Sequence, residues 1–125
     1  MKYTFLLLIP VIFSCTDMDK VCKENNEVRL KHHCNIIVKN IKKQTAILEI
    51  EGINPITNQF SKYKDDTRGF HGVIKYTEKG DTVVKKVGEL KLYVYKKDSI
   101  IICNIKDFCK KINDPNSDYL TFIKR

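Results

Sequence analysis

The residues best equipped for chemistry in this chain are five cysteines and three histidines: Cys15, Cys22, Cys34, Cys103 and Cys109, with His32, His33 and His71. Together they suggest three chemistries: metal ligation, disulfide formation, or a cysteine nucleophile with a histidine base. The spacings Cys22-x11-Cys34 and Cys103-x5-Cys109 lack the close pairing of zinc modules. On a strand, the side chains of His32 and His33 leave on opposite faces and cannot share one ion, and His33 and Cys34 diverge in the same way. His71 is far from both in sequence and can approach only one of them. No metal site and no cofactor is expected.

Oxygen nucleophiles and carboxylate pairs have less support. Ser61, Ser99 and Ser117 occur outside any Gly-x-Ser-x-Gly elbow, and the chain has no paired-histidine helix and no glycine-rich phosphate loop. Asp65-Asp66 falls in the mixed-charge stretch Lys62–Arg68, which reads as a solvated loop. No catalytic residue is assigned, and the expectation is a protein that is not an enzyme.

The placement of Cys15 carries the strongest signal. Lys2 precedes an apolar run from Phe5 to Phe13, which ends at Ser14 and Cys15. This is the pattern of an export signal over residues 1–14. The run is shorter than the roughly 20 residues a membrane span needs. The box Ile12-Phe13-Ser14-Cys15 resembles the lipobox of bacterial lipoproteins in its relaxed form, since Phe13 is bulkier than the usual residue. That resemblance implies a diacylglycerol on the Cys15 sulfur, cleavage just before it, and acylation of the new amino terminus. Residues 15–27 would then be anchor and tether, holding the protein to a cell-envelope membrane. The alternative is an ordinary secretory signal cut after Thr16, which places Ser14 and Thr16 at the small-residue positions. Both readings export the protein.

Export changes the meaning of the other thiols. Cys22, Cys34, Cys103 and Cys109 are an even set in an oxidising compartment, so two disulfides are expected, with three connectivities open. Joining the start of the chain to its end would close a long loop and stabilise the domain by roughly 3–5 kcal/mol.

The full chain has 125 residues and a formal charge of +8. That length suits one domain, placed at 28–125. Its positive charge is almost all lysine, with arginine only at 29, 68 and 125. Arginine carries most bidentate base and phosphate contacts, and the lysines here are scattered among acids. Nucleic acid is therefore not an expected partner. A weak preference for an acidic protein or an anionic envelope ligand remains.

The elements that must position these residues read as mainly β, a small antiparallel sandwich or curled sheet. Thr16–Glu27 is a polar tether and lead-in loop. From Val28 to Lys39 strict alternation predicts a strand, with Val28, Leu30, His32, Cys34, Ile36 and Val38 on one face. Ala46–Glu51 is a second strand, Ser61–Gly69 a charged loop, Gly72–Thr77 a third strand and Thr82–Val87 a fourth. Glu89–Tyr95 and Ile100–Ile105 follow as strands, then a short helix in Asp107–Ile112 and an edge strand at Tyr119–Ile123. Leu48, Ile50, Leu92, Val94 and Ile102 are the expected core. On the strand Glu89–Tyr95, Leu90, Leu92 and Val94 share one face, which turns Lys91, Tyr93 and Tyr95 outward. Such a strip suits a protein or glycan interface, because tyrosine joins apolar area to a polar tip.

The stretch Gly88–Ile105 also resembles the last hairpin of the MD-2-related lipid-recognition (ML) family, and Thr45–Glu51 resembles an earlier strand of that fold. In that family the hairpin cysteine bonds to one near the mature amino terminus, and Cys103 and Cys22 occupy matching places. The resemblance implies a secreted β-sandwich holding a lipid between its sheets. It covers about a third of the chain, and the family's central paired cysteines are missing. The leading expectation is a lipid-anchored envelope protein that binds a protein or envelope ligand without catalysis, in a protective or inhibitory role. The lipid-binding sandwich is the alternative.

Overall fold

The computed structural model describes residues 18–111 and 119–125. The expected export signal and Cys15 lie outside the described residues. The chain forms α1 (Met18–Lys31), β1 (Cys34–Ile41), β2 (Leu48–Ile53), β3 (Phe60–Asp65), β4 (Thr82–Lys85), β5 (Lys91–Tyr95), β6 (Ser99–Asn104), α2 (Phe108–Lys111) and β7 (Leu120–Lys124). A 3₁₀ turn at His71–Val73 interrupts the crossing from β3 to β4. All seven strands pair antiparallel in one sheet, in the order β3-β2-β1-β4-β5-β6-β7.

The sheet is mainly β as expected, and it is curled. Tyr63 on the edge strand β3 and Cys103 on β6 belong to one buried cluster. Those strands stand five steps apart in sheet order, about 24 Å in a flat sheet. Only strong curvature brings them together. The inner face carries Ile36, Val38, Leu48, Ile50, Val83, Leu92, Val94 and Ile101, all essentially buried. Phe70, Val73 and Ile74 from the β3–β4 crossing pack against them in the same cluster.

Three elements differ from the sequence reading. From Met18 on, the lead-in loop and the start of the predicted strand are α1. Its inward positions are Cys22, Asn26 and Arg29, at helical spacing but mostly polar, so no apolar periodicity marks the helix. Val28 is 48 % exposed on its outer side, and the alternation ascribed to a strand there is incidental. Arg29 and Lys31 sit in the last turn, where cations offset the helix dipole. The charged loop at Ser61–Gly69 begins as strand β3, with Lys62 and Lys64 outward and Tyr63 and Asp65 inward. Exposed lysines are what an edge strand needs to avoid further pairing. The predicted strand Gly72–Thr77 is instead a turn sequence, because Val73 and Thr77 meet at helical spacing. Thr77 donates both its backbone N–H (3.0 Å) and its hydroxyl (2.8 Å) to the Val73 carbonyl.

One glycine is dictated by approach distance. At Gly52 on β2, a Cβ would fall 1.9 Å from the carbonyl oxygen of Ile37 on β1. The register of these strands shifts between Val38 and Asn40, and the bulge presses the two backbones together.

Among the described residues there is one disulfide where two were expected. Cys22 in α1 bonds to Cys109 in α2 across 87 residues of sequence. Cys34 and Cys103 are buried free thiols. Register explains why: Cys34 lies opposite Lys85, Lys85 opposite Leu92, and Leu92 opposite Cys103. Three strand spacings amount to about 14 Å along the sheet, against the roughly 4.4–6.8 Å between Cα atoms that a disulfide needs. The Cys22–Cys103 pairing that the ML resemblance implies is likewise not formed.

Candidate functional site

Among the described residues, one group of chemistry-bearing side chains lies inside the curl and another on its outer face. The inner group is the one sequence reasoning missed. Arg29 points from α1 into the molecule and is 1 % exposed. Its guanidinium donates to the Asn26 side-chain oxygen, the Thr67 hydroxyl and, at 2.9 Å, the Thr67 carbonyl. Its Cζ stands 5.6 Å from the centroid of Phe108. Asp65 faces it from β3, fully buried, and one carboxylate oxygen accepts the Thr67 hydroxyl and, at 2.9 Å, the Thr67 N–H. Burial lowers the Arg29 pKa, and the Asp65 charge works against that.

Lys85 is the second buried cation. Its ammonium donates to the carbonyls of Lys86 (2.6 Å) and His32 (3.2 Å), which ties β4 to the junction between α1 and β1. The Gly88 N–H donates to the Leu30 carbonyl at 2.7 Å and reinforces the same seam. The phenol of Tyr63 lies 3.3 Å from His32 Nδ1, and burial raises the Tyr63 pKa. Burial also pushes both free thiols, Cys34 and Cys103, up to about 12. A thiol held neutral is a poor nucleophile and a poor metal ligand. The arrangement can hold α1 over the end of the curl and offers no reactive group. A buried arginine in a polar helix is its only sequence trace.

Other candidates separate. Asp65 points inward while Asp66 is exposed and pairs with Lys64 at 3.4 Å, so the two do not work together. His33 is exposed beside half-buried His32, and His71 Nδ1 lies 2.7 Å from the Arg68 carbonyl. Among the described residues, no three His, Cys, Asp or Glu side chains converge on a point where an ion could sit. None of the described helices is long and apolar enough to cross a membrane.

The outer face carries the tyrosine strip. Lys91, Tyr93 and Tyr95 lie on β5 with their side chains away from the core, each half-buried by its neighbours. The Tyr93 and Tyr95 rings stack 6.2 Å apart at 17°. Tyr93 donates to a Glu89 carboxylate oxygen at 3.1 Å, and the Lys86 ammonium stands 5.5 Å over its ring. Partial burial and then the Glu89 hydrogen bond raise the Tyr93 pKa.

Register extends this strip into a band. Phe60, Ile53, Ile37, Thr82, Tyr95, Ile100 and Ile123 are successive cross-strand partners, one from each of the seven strands. A shorter parallel row holds Val84, Tyr93 and Ile102. Phe60 and Ile123 at the two ends are 62 % and 43 % exposed. Ile102 therefore belongs to this face, not to the core as expected. The inward positions of β6 are Ile101 and Cys103.

Comparison with protein families, with curated proteins and with solved structures finds no match to this chain.

Proposed function

We propose that this is an exported envelope protein, anchored by lipid at Cys15, that binds a protein partner noncatalytically through the outer face of its sheet. The single observation that supports this reading best is the cross-sheet row from Phe60 to Ile123. An antiparallel sheet with one packed face normally turns polar side chains outward. Here six of the seven residues in the row are apolar or aromatic, and the core cluster does not use them. Contiguous exposed apolar area rimmed by charge marks interaction surfaces, and tyrosine is among the residues that carry most binding energy there. Lys86 and Lys91 supply the rim and favour a partner with acidic groups at its edge.

The test has two arms. Cys15→Ala should move the protein out of the membrane fraction, and persistence there after a high-salt wash would sink the anchor. In intact cells, amine-reactive crosslinking at Lys91 should join the protein to a partner, and Y93S/Y95S should lose that adduct. Retention of the same adduct by the double variant would sink the outer-face reading.

A further inference from the structure

A cavity of about 520 Å³ opens between the β1–β2 loop and the 3₁₀ turn, with Lys43, Ala46, His71, Ile74 and Lys75 in its wall. The volume lies within the few hundred to about a thousand cubic ångström typical of small-molecule sites. Its wall contains no carboxylate. The neighbouring acid, Glu49, is engaged by Lys42 at 3.3 Å, which leaves Lys43 without an acidic partner among the described contacts. Lys75 rests 4.8 Å from the Tyr76 ring centroid, a contact that orients the ammonium and leaves its charge uncompensated. His71 directs Nδ1 to the Arg68 carbonyl at 2.7 Å, so the rest of its ring is available to the cavity. Ile74, only 5 % exposed, and the Ala46 methyl give the wall an apolar part.

Two uncompensated ammonium groups beside an apolar patch, with no acid in the wall, select for a ligand with a matching division. We infer that this cavity binds a small amphiphilic anion, with a phosphate or carboxylate head held by Lys43 and Lys75 and a short aliphatic stem against Ala46 and Ile74. An ammonium binds phosphate as a point charge, without the planar geometry an arginine would demand. Both lysines are exposed, so the attraction is screened by salt and is strongest at low ionic strength. The inference does not rest on the outer-face reading.

Butyl phosphate, hexanoate, inorganic phosphate and butanol would each be titrated into the purified full chain at low ionic strength, followed by amide shifts and calorimetry. The same protein would be floated with vesicles of phosphatidylglycerol or of phosphatidylcholine, which separates a soluble ligand from a lipid headgroup. Saturable binding of butyl phosphate is expected, stronger than inorganic phosphate and absent for butanol, with shifts confined to residues 43–46 and 71–75. K43Q/K75Q should weaken it about tenfold, the equivalent of about 1.4 kcal/mol. A46F should weaken it by filling the wall while leaving both charges in place. Vesicle binding that requires phosphatidylglycerol and is lost in K43Q/K75Q would support the site with a headgroup as its ligand. Absence of binding in both arms, binding unchanged in the variants, or shifts mapping elsewhere would overturn the inference.

Discussion

Within β5 the two faces of the sheet stand one residue apart. Leu92 and Val94 are fully buried, whereas Tyr93 and Tyr95 keep part of their surface in solvent. The inner face ends in a polar cluster under α1, where Arg29 and Lys85 are enclosed and hydrogen-bonded and Asp65 is held through one of its two carboxylate oxygens. The outer face is apolar in its middle and charged at its β2–β3 side, where Glu51 meets Lys62 at 3.7 Å. The inner face thus adds a polar end to its apolar core, and the outer face carries apolar area that the core does not use. The inner polarity holds the helix in place, and the outer apolar area goes unused by the fold. The former should therefore govern stability and the latter association.

The largest effect expected on that division comes from the disulfide. Cys22–Cys109 closes a loop of 87 residues, worth about 4–5 kcal/mol in the chain-entropy account. Cys22→Ser with Cys109→Ser should lower the unfolding free energy by about that amount in urea titration. A loss below about 1 kcal/mol would mean that the inner cluster alone holds α1.

Arg29→Ala should come next. Removing one partner of a buried charge cluster leaves Asp65 enclosed without its cation, at a cost of about 3 kcal/mol. Y93S/Y95S, measured alongside, should cost less than about 1 kcal/mol, in keeping with partly exposed sites. Equal losses in the two variants would erase the distinction between the faces.

The last effect is alkaline and grows with pH above the ordinary thiol range. Folding holds Cys34 and Cys103 neutral up to about 12, above the ordinary thiol value of about 8.5. The folded state thus binds more protons than the unfolded state across that window. The contribution is complete below about pH 8.5 and is lost as pH rises toward 12. Tyr63, also raised, adds in the same direction, while the lowered pKa of Lys85 opposes it. Denaturant titrations from pH 8 upward should show falling stability, with a shallower fall in Cys103→Ala. An unchanged slope in that variant would show that the Cys103 thiol is not sealed from solvent.

Most strands expected from the sequence form within a few residues of their places: the second half of the first one, then β2, β4, β5, β6 and β7. What was illegible shares a physical cause. Cys22, Asn26 and Arg29 point inward without being apolar, and Tyr63 and Asp65 do so between lysines, so hydrophobic pattern misses both α1 and β3. The run Ile100–Ile102 is apolar on both faces, and period alone assigns neither. Parity along β5 was enough to place Tyr93 and Tyr95 outward. The row that enlarges their strip depends on six interstrand registers, which no single segment encodes.

The bond between Cys22 and Cys109 also fixes how the molecule carries mechanical load. A pull applied at the two chain ends passes from residue 22 to residue 109 through sulfur, and β1 to β6 lie off that path. Of the strands, only β7 follows Cys109 and bears tension, so it peels from β6 first while the rest of the sheet remains slack. Pulled by its two ends, the molecule behaves as a short leash that cannot be drawn out into thread.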